Sequence, residues 1–309
     1  MTQPMIIDTD TASDDAVALV LALRDDRVDV RAITVVSGNV PVAMGVQNAL
    51  YTRELCRSRV PVHAGADRPL LRHHTFAHDV HGADGMGDIG LPLSGREPDP
   101  GHAIDVIIDL ARRRPGELTL VTLGPLTNIA LALRKAPDIA GLFRRVVMMA
   151  GTGDGTGNVT PTAEFNIYVD PEAADIVFRS GMPLEMVGWD VSRNDAALSP
   201  ADAAELASVG PLGEFCVDIQ RQLVEFCRSV THIDGFDLPD PVTMAVAIDP
   251  TIAVRVDHRH VSIETTGAHT TGMTVVDNLG VTGRAPDVHV VRSVDRDRFI
   301  GLLHAACTD

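Results

Sequence analysis

Residues 8–15 hold four aspartates, Asp8, Asp10, Asp14 and Asp15, within eight positions. A short apolar run at 5–7 precedes them, and a helical pattern at 16–23 follows. The carboxylates therefore fall where a strand ends and a helix begins. In open α/β sheets ligands bind at such junctions, beyond the carboxyl ends of the strands. Charges this close repel one another unless a cation lies between them. Hard divalent cations such as Ca²⁺ take several oxygens from Asp, backbone carbonyls and water. Helix capping accounts for only part of the cluster. Ser13 as an N-cap, with Asp14 and Asp15 in the favourable first turn, leaves Asp8 and Asp10 without a role.

The rest of the chain alternates. Strands are predicted at 30–36, 60–63, 118–123, 146–149 and 184–187, and helices at about 42–56, at 103–113, after Pro125 and from Pro171. Proline suits the first turn of a helix. This alternation implies an α/β fold with a mostly parallel, Rossmann-like central sheet flanked by helices. Residues 200–247 read as mainly helical, 254–276 as alternating β-rich stretches and 295–306 as a closing helix. Long Gly-rich loops are expected at 65–100 and 151–162. No repeat or linker divides the 309 residues, so a single domain is expected.

The formal net charge of −16 is the wrong sign for a nucleic-acid partner. No stretch reaches the ~18 uninterrupted apolar residues of a membrane span. The start, MTQPMIID, lacks the basic and apolar pattern of a signal peptide. A cytoplasmic protein with no membrane or nucleic-acid partner is expected. Cys56, Cys216, Cys227 and Cys307 are widely spaced and read as buried reduced thiols.

Further polar motifs follow the later strands. Ser37-Gly38-Asn39 could be a simple polar turn. V-T-L-G-P-L-T-N-I-A, at 121–130, puts a Gly-Pro turn between a strand and a helix, which on its own reads as a simple βα turn but can also leave the Leu123 carbonyl free to coordinate metal. G-N-V-T-P-T-A-E-F-N, at 157–166, offers Asn158, Glu164 and Asn166, which could read sugar hydroxyls. Asp240 stands before Pro241 at a probable helix start, where a cap is the simpler explanation. V-H-G-A-D-G-M-G, at 80–87, has the glycine content of a mobile flap beside a site. His73, His74, His78 and His81 match no zinc spacing and read as solvated loop histidines.

Taken together, DTDTASDD, SGN, VHGADGMG, LGPLTNIA and GNVTPTAEFN resemble the inosine-uridine-preferring nucleoside hydrolase family in kind and order, from Asp8 to about Pro250. DTDTASDD departs from the more usual DTDPGxDD but keeps every aspartate. The resemblance implies calcium-dependent hydrolysis of the N-glycosidic bond of a ribonucleoside. It implies that Asp10, Asp15, Asp240 and the Leu123 carbonyl bind Ca²⁺, and that Asp10 also takes a proton from the attacking water. Asp14, Asn39, Asn158, Glu164 and Asn166 would hold ribose hydroxyls, and His81 would lie near the sugar or base. Asp10, Asp14, Asn166 and His81 are the expected catalytic residues. A homodimer or homotetramer is also implied.

The chemistry is coherent. Cleaving an N-riboside builds positive charge on the sugar, which a carboxylate-rich pocket stabilises. One departure stands out. Many relatives carry His immediately before the aspartate corresponding to Asp240, where it can protonate the leaving base; here that residue is Pro239. His232, His81, Trp189 and Tyr168 are the possible substitutes. Two other readings are kept. D8-T9-D10-T11 loosely resembles the D-x-D-x-T of haloacid-dehalogenase-like phosphatases, which also need a lysine, and Lys135 is the only lysine. The missing histidine also suggests a calcium-dependent ribose-binding protein without turnover.

Overall fold

The computed structural model describes residues 2–308. Its strands are β1 (Gln3–Thr9), β2 (Val28–Val35), β3 (Val62–Ala64), β4 (Thr119–Thr122), β5 (Arg145–Met149), β6 (Leu184–Val187), β7 (Ala253–Arg259), β8 (Val261–Ile263), β9 (Thr274–Val276) and β10 (Val288–Val294). Eight of them form one sheet in the order β3-β2-β1-β4-β5-β6-β10-β7. All neighbours run parallel except β7, which closes the edge antiparallel to β10. β8 and β9 make a separate two-stranded ribbon. The expected mostly parallel, Rossmann-like sheet is therefore present. β10 lies at residues where the sequence pattern had suggested no strand.

The chain moves outward from β1 to β3, then returns to place β4 on the other side of β1. The strand order thus reverses between β1 and β4, and the crevice above that point is open to a ligand. Both strands are buried on both faces near their ends, with Ile6, Ile7, Leu120 and Val121 wholly inaccessible.

The helix after β1, Ser13–Arg24, is buried from Ser13 through Ala22. It packs against the helices Pro239–Ile248 and Arg296–Cys307. A helix apolar on all sides can be stable only inside a core, so its first turn is fixed as firmly as the sheet. Its N-cap is Ala12, with Ser13 already the first helical residue. Asp15 Oδ2 accepts from the Ala12 N–H at 2.9 Å and so completes the cap from within the helix. The capping role expected of Ser13 is corrected accordingly. Its hydroxyl instead meets His81 Nδ1 at 2.8 Å.

The segment at 80–87, expected as a flap, is packed inward. Met86 is wholly buried, and Asn48 Nδ2 donates to the carbonyls of both Thr11 and Asp84, at 3.0 and 3.1 Å. His73, His74 and His78 are exposed as expected, but His81 is buried. The four cysteines are free and buried. No helix among the described residues is long and apolar enough to cross a membrane.

Asn128, wholly buried, ties three segments together. Its Nδ2 donates to Asp8 Oδ2 at 2.8 Å, and its Oδ1 accepts from the Ala66 N–H at 2.8 Å. Asn128→Ala strands the Ala66 N–H and leaves the buried Asp8 carboxyl with Thr34 alone. It should lower the unfolding free energy by roughly 2–4 kcal/mol, since each buried group left unpaired costs about 1–3 kcal/mol. Urea unfolding of the two proteins measures the difference.

Candidate functional site

Five of the aspartates buried in the site region belong to or adjoin the carboxylate cluster. Asp8, Asp10 and Asp15 are wholly inaccessible, Asp240 is 2% exposed and Asp14 5%. They divide by partner. Asp8 faces back into the sheet, where Oδ2 accepts from the Thr34 hydroxyl at 2.6 Å and from Asn128. Burial pushes its carboxyl up to about 7. It is a structural member of the cluster.

Asp14, Asp15 and Asp240 each offer an oxygen, and these atoms lie within 4.8 Å of one another. Asp10 is close enough for the Asp15 charge to raise its carboxyl further after burial. Two carboxylates can approach this closely only with a proton or a cation between them. Burial, and then the charges of the neighbouring aspartates, raise the carboxyls of Asp10, Asp14 and Asp240 well above the ordinary range. Asp10 Oδ1 and Asp14 Oδ1 are buried with no hydrogen-bond partner. An all-oxygen donor set with unsatisfied buried carboxylate atoms fits a hard divalent cation. Asp10, expected in the cation shell, adjoins the three-residue oxygen group, while Asp14, expected on the ribose, belongs to it.

Asp10 is held by the turns after β2 and β4. The Asn39 N–H donates to its Oδ2 at 2.6 Å. A Cβ at Gly38 would lie 2.1 Å from that oxygen, and one at Gly124 would lie 2.7 Å from Oδ1. The S-G-N and L-G-P motifs thus give Asp10 a cradle that any side chain would fill. Asp15 Oδ1 accepts from the Thr9 hydroxyl at 2.5 Å, and the Asn39 side-chain amide approaches Oδ2 at 3.5 Å.

A pocket rises from this cluster. Asp14, Asn39, His81, Leu123, Asn158, Glu164, Asn166 and Asp240 line it, so the structure gathers every expected site residue around the pocket except Asp10 and Asp15, which are not part of its wall. Asn166 Nδ2 donates to the Leu123 carbonyl at 2.7 Å, and that oxygen retains a second lone pair. Glu164 accepts from the N–H groups of Gly151, Asn166 and Ile167, capping the helix Phe165–Val169. Burial nonetheless lifts its carboxyl to about 7. Asn158 Oδ1 accepts from the Phe165 N–H at 2.9 Å, which closes the Gly-rich loop over the pocket. Burial drives the His81 imidazole down to about 4, with His78 adding to the effect.

Val80, Val159, Phe165, Trp189, Leu223 and Phe226 add apolar lining, and Cys227, Thr231, Asp237 and Pro239 complete the wall. Of the substitutes for the missing histidine, His81 and Trp189 line the pocket. Tyr168 lies in a separate surface depression with Arg72 and His269, and His232 is exposed. Asp237 was missed in the sequence, although it stands three residues before Asp240 in F-D-L-P-D. The lysine needed by the phosphatase reading is elsewhere: Lys135 sits on the surface, paired with Asp105.

Fold and site together define an α/β protein with a carboxylate cation site at the switch point of a Rossmann-ordered sheet. Residues 5–301 match the family model for inosine-uridine preferring nucleoside hydrolases. The pyrimidine-specific ribonucleoside hydrolase RihA of Salmonella agona is 40% identical over 306 residues, 98% of this chain and 97% of the relative. Among solved structures, a plant nucleoside hydrolase, PpNRh1, superposes with a TM-score of 0.94 at 34% identity, covering 100% of this chain and 99% of that one. A purine-preferring ribonucleoside hydrolase from Gardnerella vaginalis gives 0.91 at 32% identity, with coverage of 99% and 98%. The chain belongs to the inosine-uridine preferring nucleoside hydrolase family and is a ribonucleoside hydrolase.

Gly38→Ala and Gly124→Ala should each displace the Asp10 carboxylate while leaving the sheet intact. A shift of about 1 Å in a reacting group costs on the order of 100-fold in rate. Steady-state kinetics beside circular dichroism checks both halves of the expectation.

Proposed function

We propose that the whole chain, acting as one domain, holds a single Ca²⁺ between Asp10, Asp15, Asp240 and the Leu123 carbonyl and hydrolyses ribonucleosides there to ribose and free base. The observation that carries the reading is the buried oxygen cluster of Asp14, Asp15 and Asp240 at the floor of the pocket. A bound Ca²⁺ neutralises this cluster, orients water and makes it more acidic.

The chain's own groups do the rest. Asp10 is the base: Asn39 fixes its Oδ2, and its Oδ1, buried without a partner, is free to take the water's proton. Asp14, Asn39, Asn158, Glu164 and Asn166 hold the ribose hydroxyls. As the C1′–N bond stretches, positive charge spreads over the sugar, and the surrounding carboxylates stabilise it more than they stabilise the neutral ground state. His81 stays neutral near pH 7 because of its burial, and Ser13 Oγ fixes its ring beside Asp14. We place the protein in the cytoplasm, which suits its four free thiols. We also read it as a homodimer or homotetramer, which suits the exposed Leu279 and Val281.

Two outcomes are expected. Incubated with purine and pyrimidine ribonucleosides, the protein should release base and ribose, and a calcium chelator should abolish the release. Asp10→Asn should lower kcat by about 100-fold or more while ribose still binds. No cleavage of any nucleoside by Ca²⁺-loaded protein would instead favour the ribose-binding reading.

A third outcome concerns stability. Asp10, Asp14 and Asp240 have carboxyls raised first by burial. An acid with a raised folded-state pKa stabilises the fold below its unfolded value of about 3.9, and loses that contribution as pH rises through the folded value. Chelator-treated protein should therefore weaken as pH climbs from the unfolded carboxyl value of about 3.9 toward neutrality. Added Ca²⁺ should raise Tm by an increment that grows over the same range. At about 100-fold excess over Kd the stabilisation is about 2.7 kcal/mol. Thermal scans with Ca²⁺ and with chelator at both ends of this range test it.

A further inference from the structure

Hydrolysis of a nucleoside needs a proton for the departing base as well as a base for the water. Pro239, beside Asp240 in the pocket wall, has none to give. The pocket's other proton-bearing groups can be sorted by their partners. Asp14 and Asp240 belong to the oxygen cluster. Glu164 is engaged by three backbone N–H groups. His81 is bonded to Ser13 and kept neutral by burial. Burial pushes the Cys227 thiol up to about 12.

Asp237 remains. It is 3% exposed and lines the pocket together with Trp189, Phe226 and Cys227. Among the described residues no arginine, lysine or histidine forms a salt bridge with it. Its partners are the Cys227 thiol, with Sγ 3.6 Å from Oδ1, and the Ser192 hydroxyl, 3.1 Å from Oδ2. The same Ser192 oxygen is 3.0 Å from the Trp189 carbonyl, which can only accept. One hydroxyl has one proton for two acceptors. Both contacts are satisfied when Ser192 donates to the carbonyl and Asp237 carries a proton of its own. Burial also raises this carboxyl, with Ser192, Cys227 and Trp189 opposing the shift. Asp14 is the charged group that senses it from the first helix.

We propose that Asp237 is the acid of the reaction, meeting the base in the pocket and protonating it as it leaves. The proposal rests on the hydrolase reading. The C1′–N bond breaks with its electron pair passing to the base, which takes the proton from Asp237. The hydroxyl of water bonds to C1′, and its proton passes to Asp10. Proton exchange with solvent then restores both carboxyls. The sum is ribonucleoside plus water giving ribose plus neutral base.

The test compares two leaving groups. Inosine and uridine need a proton to depart, whereas para-nitrophenyl β-ribofuranoside releases an anion that is stable near neutral pH. Asp237→Asn should lower kcat on inosine or uridine by about 100-fold or more, the range of general acid catalysis. It should leave kcat on the nitrophenyl riboside within about threefold of the parent. If the amide does not fold, Asp237→Ser gives the same comparison. An equal loss on both substrates would make Asp237 structural and overturn the proposal, as would no loss on either. Failure of the parent protein to cleave even the nitrophenyl riboside would sink the hydrolase reading itself.

Discussion

The mutual repulsion of buried carboxylates at the end of β1 is the constraint around which this molecule is arranged. Asp10, Asp14, Asp15 and Asp240 converge where there is little water to screen them. In such surroundings each would protonate rather than stay charged. A cation among them changes the sign of the problem. The same burial that penalises free carboxylates strengthens their hold on a hard ion, and the raised carboxyls are the signature of that arrangement.

Much of the surrounding structure keeps these groups from relaxing apart. The helix that carries Asp14 and Asp15 is buried through Ala22, so its first turn cannot swing outward. Thr9 and the Ala12 N–H fix Asp15, while the Asn39 N–H and two glycines confine Asp10. Asp240 arrives on a helix packed against the first. Sheet order brings the contributing turns together: the ends of β1 and β4 are neighbours because the chain reverses direction between them. Rigid placement of this kind lets a site stabilise charge without reorganising during the reaction.

Much of this was legible in the sequence because it is local. Asp8 to Asp15, Ser37 to Asn39 and Leu123 to Pro125 each sit at the end of an apolar run, so their position at strand ends follows from period and turn chemistry. What was not legible depends on contacts across the fold. The sequence does not distinguish Asp8, which hydrogen-bonds Thr34 and Asn128, from the aspartates that face the pocket. His81 looks like its solvated neighbours until Ser13, on the first helix, meets its ring nitrogen. Ser13 looks like a cap, but Asp15 does that work. Asp237 gave only a faint signal, a second carboxylate close to Asp240, and its meaning depends on Ser192 and Cys227 coming from two other segments. β10 belongs to the sheet because β6 and β7 pair with it, a long-range fact that a short apolar stretch does not announce.

The pocket thus separates two tasks. On the proposed reading, its carboxylates handle the sugar and the water, while its apolar lining receives the base. That reading depends on one cation being held among the carboxylates. The most direct measurement is calorimetric titration of chelator-treated protein with Ca²⁺, in parallel with Asp15→Asn. One site per chain in the parent, absent from the folded variant, is the expected result. A parent protein that takes up no Ca²⁺ yet still releases base from nucleosides would contradict it.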